Sequence, residues 1–323
     1  MKKKITIACV AAGKHAIKNT IPAIKRIKKF KLLAIYVRKK NVDHLKKFNV
    51  KIFFNYKELL CLKGLDSVYI SAPPSLHYSL AKMALLAKKH VLIEKPSVVN
   101  LSQAKKLIKI SDLNKLVLME GLMYQYHEQF KTLKLIYKKI KSKNLIKVNS
   151  IFGFPHLPKE DFRYSLNQGG GALLDAGSYA LSIIRNLSEE KLKIKKSVIK
   201  KRKFLIDVSG RVQFERIDNI DFSASWYFGG KYKNQITIKY DNEKIIVNRA
   251  FSKPENLQTT IDFFKKNKLI RKKTIKKDNH FINMFKIFFN SMQNDQDRLS
   301  LRDELYDQAI LIDYIKQKSI LNG

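Results

Sequence analysis

From residue 5 to about residue 119 the chain alternates short apolar runs with stretches of helical period, and this alternation is its strongest constraint. Six runs, at residues 5–10, 32–37, 50–54, 67–71, 90–94 and 116–119, are largely apolar and too short for helices. Between them, residues 16–28, 76–88 and 102–110 repeat apolar positions every three or four residues. Strands that are apolar on both faces need cover on both faces, and intervening helices supply it. The pattern predicts a doubly wound parallel sheet for residues 1–121.

Past Gly121 the grammar changes. A helix is predicted at 129–140, a strand at 146–154, an irregular stretch at 155–168, and a helix at 172–187 opened by Gly169-Gly170-Gly171. Longer runs follow at 193–200, 205–216, 221–228, 235–240 and 244–250. The period-two set Phe222, Ala224, Trp226 and Phe228 predicts a largely antiparallel open sheet with one covered face. Helices are expected again at 281–292 and 301–317. Residues 122–323 therefore form a second, α+β domain, and the chain as a whole is α/β.

Lys and Arg number 65 against 27 Asp and Glu, a formal charge of +38, which raises the question of a nucleic-acid or membrane partner. The excess is mostly lysine scattered through helices and loops amid abundant Ile, Asn and Phe, a mixture that A/T-rich codons produce. No recognition-helix, RNA-binding or zinc-finger pattern accompanies it. The expectation is a solvated surface with salt-sensitive adsorption to polyanions, no specific nucleic-acid partner and no membrane span. Residues 151–190 hold one lysine, Lys159, so this stretch is expected to be buried or to line a site. Cys9 and Cys61 lack metal spacing and read as reduced thiols of a cytoplasmic protein. No metal is expected, because no His, Cys and Asp set has ligand spacing.

Residues 5–16 run from a strand through small residues into a helix. Small residues let the backbone approach a pyrophosphate, and a helix start offers free N–H groups. The dinucleotide pattern Gly-x-Gly-x-x-Gly/Ala reads here Ala11-x-Gly13-x-x-Ala16. A tight turn without a ligand is the alternative. The second run ends at Tyr36-Val37-Arg38, and the first acid beyond it is Asp43. An acid there grips a ribose 2′-hydroxyl, whereas an arginine pairs with a 2′-phosphate, so NADP(H) is expected over NAD(H).

The fifth run, Val91-Leu92-Ile93-Glu94-Lys95-Pro96, ends on an acid, a lysine and a proline. Open α/β sheets place ligands at that end of their strands. A lysine there can give a proton to a substrate oxygen; alone, the three residues also read as a surface pair before a turn.

Four blocks, in order and at the right spacing, resemble the Gfo/Idh/MocA oxidoreductases, the glucose-fructose oxidoreductase and inositol dehydrogenase group. They are the Ala11 to Ala16 turn, Ser71-Ala72-Pro73-Pro74-Ser75-Leu76-His77, Lys89-His90 running into Val91 to Pro96, and Gly169-Gly170-Gly171-Ala172-Leu173-Leu174-Asp175-Ala176-Gly177-Ser178-Tyr179. Glu120-Gly121-Leu122-Met123-Tyr124 is similar to that family's entry into its second domain. The resemblance implies a Rossmann-type cofactor domain in which Ala11, Gly13, Lys14, His15, Arg38, Ala72, Pro73, His77 and Glu94 border the cofactor. It implies that Lys95 is the catalytic lysine at the nicotinamide, and that Tyr124, Asp175 and Tyr179 serve the substrate.

Independently, Asp175 and Tyr179 are four apart on a predicted helix and so are expected on one face. Arg163 is a candidate for a substrate phosphate or carboxylate, with a structural salt bridge as the alternative. Phe152-Gly153-Phe154-Pro155 and Asp161-Phe162-Arg163-Tyr164 resemble members that reduce keto groups on nucleotide-linked sugars. The dihydrodiol dehydrogenase and glucose-fructose branches carry related text. The chain departs from the pattern at Ala11 for glycine, Gln125 for arginine and Glu128 for proline.

The expected activity is hydride transfer between nicotinamide and a sugar or nucleotide-linked keto-sugar carbon. Lys95 acts as acid and base, Tyr179 is the second candidate, and Asp175 orients. A dihydrodiol dehydrogenase-like enzyme and a non-catalytic dinucleotide-binding regulator are the alternatives. The open second sheet suggests a homo-oligomer.

Overall fold

The structure, a computed structural model, describes residues 4–38, 41–141, 143–188, 192–202, 206–215 and 220–322. It divides into two compact units. The first is Met1–Leu122 with Phe281–Ala309; the second is Met123–His280 with Ile310–Gly323.

In the first unit, β1 (Ile5–Val10), β2 (Phe30–Tyr36), β3 (Lys51–Phe53), β4 (Ser67–Ile70), β5 (His90–Glu94) and β6 (Leu118–Gly121) pair in parallel. Their order is β3-β2-β1-β4-β5-β6. The predicted apolar runs are buried as both-face strands should be: β4 is buried throughout, and Val91, Leu92 and Ile93 are sealed from solvent. The chain winds outward one way from β1 and the other way from β4. Such a switch point leaves a crevice at the strands' C-terminal ends.

Residues 281–309, assigned from sequence to the second domain, belong to this unit instead. The helix His280–Ser291 lays Phe285, Phe288 and Phe289 on Phe30, with ring centroids 6.2, 6.5 and 5.7 Å apart. From the following helix, Asp295–Lys318, Leu305 and Ala309 enter the core that holds Val68 and Leu118. Arg302 donates to Asp112 at 3.0 Å. Periodicity showed an apolar face here, but not which sheet it would cover.

In the second unit the strands are β7 (Leu145–Phe154), β8 (Lys193–Arg202), β9 (Ile206–Glu215), β10 (Asp221–Phe228), β11 (Lys233–Tyr240), β12 (Glu243–Asn248), β13 (Thr260–Lys265), β14 (Lys268–Thr274) and β15 (Ile320–Asn322). They form a nine-stranded sheet in the order β14-β13-β12-β11-β7-β10-β9-β8-β15. Among the described residues, only β7 with β10 and β8 with β15 pair in parallel. The period-two set points inward as predicted: Phe222 lies beside Val148 and Trp226 beside Phe152. The helix Ser178–Leu187 packs over β7 and β10 on that face. Trp226 occupies the space where a side chain at Gly210 would stand, so that glycine is required for packing.

The hairpin β13–β14 was not anticipated. All seven residues of β14 are exposed and the strand is lysine-rich, so no alternation marks it. Its turn places Lys266 and Asn267 at φ 46° and 62°. Leu205 and Arg216, the outer residues of one predicted run, lie outside the described residues. Among the described residues no helix is long and apolar enough to cross a membrane, and no group of three His, Cys, Asp or Glu is placed to hold a metal ion.

Candidate active site

The crevice of the first unit collects the predicted cofactor residues. Since β1, β2, β4 and β5 run parallel, their C-terminal ends put the Ala11 turn, Arg38, Ser71 to Pro73 and Glu94-Lys95 along one rim. Gly13 is exposed, and a Cβ built on it meets nothing within 4 Å. Lys14 and His15 are exposed at the start of the helical segment that continues through Ala16–Thr20. An open backbone, free N–H groups at a helix start and an exposed Arg38 suit a phosphorylated dinucleotide.

Ala11 sits at φ 63°, the left-handed region, where the dinucleotide pattern has glycine. That conformation costs an alanine roughly 1–2 kcal/mol, while a glycine costs about 0.5–1 kcal/mol in chain entropy. Ala11→Gly is therefore expected to stabilise the protein by up to about 1 kcal/mol. Chemical denaturation at neutral pH checks this, and a loss of stability would refute the strain argument.

Neighbouring loops are stitched together around Lys95. Ser71 donates its side-chain hydroxyl to the Ala11 carbonyl at 2.6 Å, joining the β1 turn to the end of β4. Glu94 accepts from the Tyr69 hydroxyl at 2.6 Å and lies 3.7 Å from His15 Nε2. Burial alone would push the Glu94 carboxyl up, but His15, Tyr69 and the Lys95 charge outweigh it and hold the group below its ordinary value. It stands in the crevice as a carboxylate.

His77 was expected at the cofactor. It is wholly buried, with Nδ1 2.8 Å from the Pro96 carbonyl and Nε2 2.7 Å from the Ala72 carbonyl. Its ring thus lies between the loop after β4 and the loop after Lys95, and the single N–H of the neutral ring donates to one of the two carbonyls. Glu120 accepts from the Ser97 N–H at 2.7 Å and fixes the same turn from β6.

In the second unit, β7 runs out into a segment with single helical turns at Phe162–Tyr164 and Leu166–Gln168. Gly170 and Gly171 donate back to the Ser165 and Arg163 carbonyls, both at 2.9 Å. Gly171, at φ 114°, brings its backbone against the Asp207 carboxylate, which accepts from Leu173 N at 2.6 Å. Asp207 thereby caps the helix start that carries Asp175. Burial pushes its carboxyl up to about 6.

Asp175 and Tyr179 lie on successive helical segments of different winding. Leu173–Gly177 forms a π-turn, whose wider winding changes the i, i+4 alignment. Asp175 accepts from Arg163 Nε at 2.7 Å. Tyr179 packs on Phe152 and Phe251, with centroids 5.4 and 5.8 Å apart, and its hydroxyl donates to Met123 Sδ at 3.3 Å.

Two further expected site residues have partners within the protein. Arg163 holds Asp161 as well, at 3.2 Å, and its guanidinium lies 4.6 Å from the Phe162 ring centroid. Its charge is met within the protein by two carboxylates, the structural alternative left open by the sequence. Tyr124 is sealed from solvent, bonded to Ser182 Oγ at 2.6 Å, and packs against the Tyr179 ring.

Sequence reasoning missed a buried polar group. Lys253 Nζ donates to Gln129 Oε1 at 2.9 Å and to the Ala250 carbonyl at 2.8 Å, and burial pulls its ammonium down to about 7. In so lysine-rich a chain nothing local distinguishes this lysine from a surface one. Asp207 was hidden similarly, since its role depends on a glycine distant in sequence.

Residues 5–122 match the family model described as an oxidoreductase family with an NAD-binding Rossmann fold, GFO_IDH_MocA. A dTDP-3,4-didehydro-2,6-dideoxy-alpha-D-glucose 3-reductase of Saccharopolyspora spinosa is 26% identical over 81% of this chain and 80% of its own. The enzyme of the same name from Streptomyces antibioticus is 25% identical over 82% of each chain. Among solved structures, a 3-ketoreductase from Actinomadura kijaniata in complex with NADP and TDP-benzene superposes with a TM-score of 0.92 at 22% identity, over 99% of this chain and 100% of that one. The switch-point crevice and the strand-end lysine lie within the stretch, residues 5–122, that matches the Gfo/Idh/MocA oxidoreductase family model.

Proposed function

We propose that this protein is an NADP(H)-dependent oxidoreductase that reduces the keto group of a sugar carried on a nucleoside diphosphate, with Lys95 as the proton donor. The observation that carries the reading is the place of Lys95. It follows β5 directly, on the rim that also holds the Ala11 turn, and the carbonyl and N–H of the two residues after it are pinned by His77 and Glu120. The substrate class draws on the curated relatives, which match four fifths of the chain under the name of a dTDP-keto-sugar 3-reductase. Variant forms of the Actinomadura ketoreductase, with a lysine or a tyrosine replaced, have also been solved.

When bound, the nicotinamide supplies the hydride for the carbonyl carbon. Lys95 gives its proton to the oxygen on reduction and takes it back in the reverse direction. Tyr179 is the second proton candidate. Its hydroxyl donates to a thioether, a weak acceptor, so exchanging that partner for an oxygen costs little. Arg163 holds Asp175 in one orientation and so positions a carboxylate able to accept from a sugar hydroxyl.

The reading is tested by following NADPH consumption with a dTDP-linked 3-keto sugar and with the free sugar. Turnover of the linked sugar is expected; turnover of neither would reject it. Cofactor choice follows from Arg38, exposed past the end of β2, and from Asp43, which is engaged by Lys46 at 2.7 Å. NADPH is expected to bind more tightly than NADH, and Arg38→Ala to erode the preference by about tenfold to a hundredfold, the worth of one charge-assisted pair. Fluorescence titration of both cofactors measures it, and equal affinities in the parent protein would remove the argument.

A further inference from the structure

One exposed aromatic pair in the second unit is built more carefully than a surface contact requires. Tyr232 is 41% exposed, and the Arg249 guanidinium carbon lies 4.6 Å from its ring centroid. The ring is held from below. The Tyr232 hydroxyl accepts from Asn234 Nδ2 at 2.9 Å, and Asn234 is buried. The same amide donates to the Ser252 carbonyl at 3.0 Å and accepts from Phe251 N at 2.8 Å. Arg249 keeps φ 52°, a left-handed conformation that side-chain-bearing residues seldom adopt and that tends to persist at functional positions.

Strand register says where this pair stands. Lys233 pairs with Gly153, Asn234 with Phe152, and Gln235 with Asn248. Tyr232 and Arg249 thus flank the sheet end at which β7 leads into the segment bearing Arg163. Phe152 links them to Tyr179 within the second unit: its ring lies 6.5 Å from Tyr232 and 5.4 Å from Tyr179. Residues 229–240 and 248–254 contain no acid, whereas Lys231 and Lys233 adjoin the tyrosine.

A fixed aromatic face takes a planar heterocycle by stacking, and a guanidinium takes phosphate oxygens through charge-assisted hydrogen bonds. We infer that Tyr232 and Arg249 form the subsite for the nucleotide portion of the substrate, the ring for the base and the guanidinium for the phosphates. This rests on the proposed nucleotide-linked substrate and names the residues that would select for it.

The test is calorimetric titration of the full-length protein with dTDP and with inorganic pyrophosphate, at physiological salt. Arg249→Ala is expected to weaken both ligands by about tenfold or more, and Arg249→Lys to recover only part of the loss. Tyr232→Ala is expected to weaken dTDP by a similar factor and to leave pyrophosphate unchanged. Lys272→Ala, on the exposed strand β14, controls for the general positive charge and should alter neither. Fluorescence of Trp226, the single tryptophan, reports that each variant keeps its second unit folded.

If the parent binds dTDP and both variants bind it equally well, the subsite is wrong while the nucleotide-sugar reading stands. Equal losses from Lys272→Ala and Arg249→Ala would overturn the subsite in favour of diffuse charge. A parent that binds no dTDP and reduces only free sugars overturns both.

Discussion

Lys95→Met is expected to fold, to bind NADP(H) as the parent does, and to lose about 10²–10⁴-fold in turnover, the usual worth of a general acid. Methionine keeps the apolar stem and deletes the charge, so a loss of rate is not a loss of packing. The contacts that hold the turn run through the Pro96 carbonyl and the Ser97 N–H, and both survive the substitution. Tyr179→Phe separates the two proton candidates. Its hydroxyl donates to Met123 Sδ, a weak acceptor, so a small effect marks a packing tyrosine. A loss as large as that of Lys95→Met marks it as the acid. Stopped-flow turnover with any ketone that the parent reduces is sufficient. A Lys95→Met variant with parental turnover would sink the mechanism and return the chain to a dinucleotide-binding protein without catalysis.

Acid is expected to loosen the first unit before the second. His90 Nδ1 accepts from Val117 N at 3.0 Å, and burial pulls its imidazole down to about 4. His127 Nδ1 accepts from Gln129 N, also at 3.0 Å, and burial followed by the Lys253 charge pulls it likewise to about 4. Both rings are therefore neutral acceptors in the native state, while in the unfolded chain they take a proton near the ordinary histidine value. Stability is then complete above about pH 6.5 and falls as pH drops toward 4, by about 3 kcal/mol for each ring.

Asp207 acts in the opposite sense. Its carboxyl is held up at about 6, so the cost of its buried charge is relieved as pH falls from 6 toward 4, by a comparable amount of about 3 kcal/mol. His127 and Asp207 share the second unit and nearly cancel. His90 is in the first unit, where the depressed Glu94 carboxyl adds to the loss at still lower pH. Between pH 7 and 4.5, hydrogen exchange at Val117 and along β6 should speed up after correction for intrinsic rates, while Trp226 fluorescence stays native. His90→Asn, which keeps an acceptor but cannot take the proton, should flatten the exchange profile. Loss of the Trp226 signal ahead of β6 protection would show that the balance of charges has been misread.

The apolar runs from β1 to β6 were legible because burial on both faces leaves a mark in the central strands, β1, β4, β5 and β6, and that mark is local. So was the inward set on β10, where period two has one meaning. The strand-end position of Lys95 and the turn at Ala11 follow from the same local text, which is why the crevice of the first unit was drawn from residues alone. Ala11 itself shows the limit of a motif: the alanine keeps the glycine's backbone conformation and bears its strain.

Partner choice was not local. Arg163 carried a charge that fitted a phosphate or a carboxylate equally well, and only the folded chain set Asp161 and Asp175 against it. Tyr124 and His77 looked like site residues because of their neighbours in sequence, and the fold set their polar atoms against Ser182 and two backbone carbonyls. The strand β14 hid behind lysines, and Lys253 hid among them. The helices from His280 to Ala309 showed an apolar face but no address, and it was Phe30 in the first unit that took their phenylalanines. Sequence by itself determined the period of each element and hence what must be buried. Tertiary structure decided which surfaces met, because hydrophobic burial is non-directional and the pairing of charges depends on distances that only the folded chain sets.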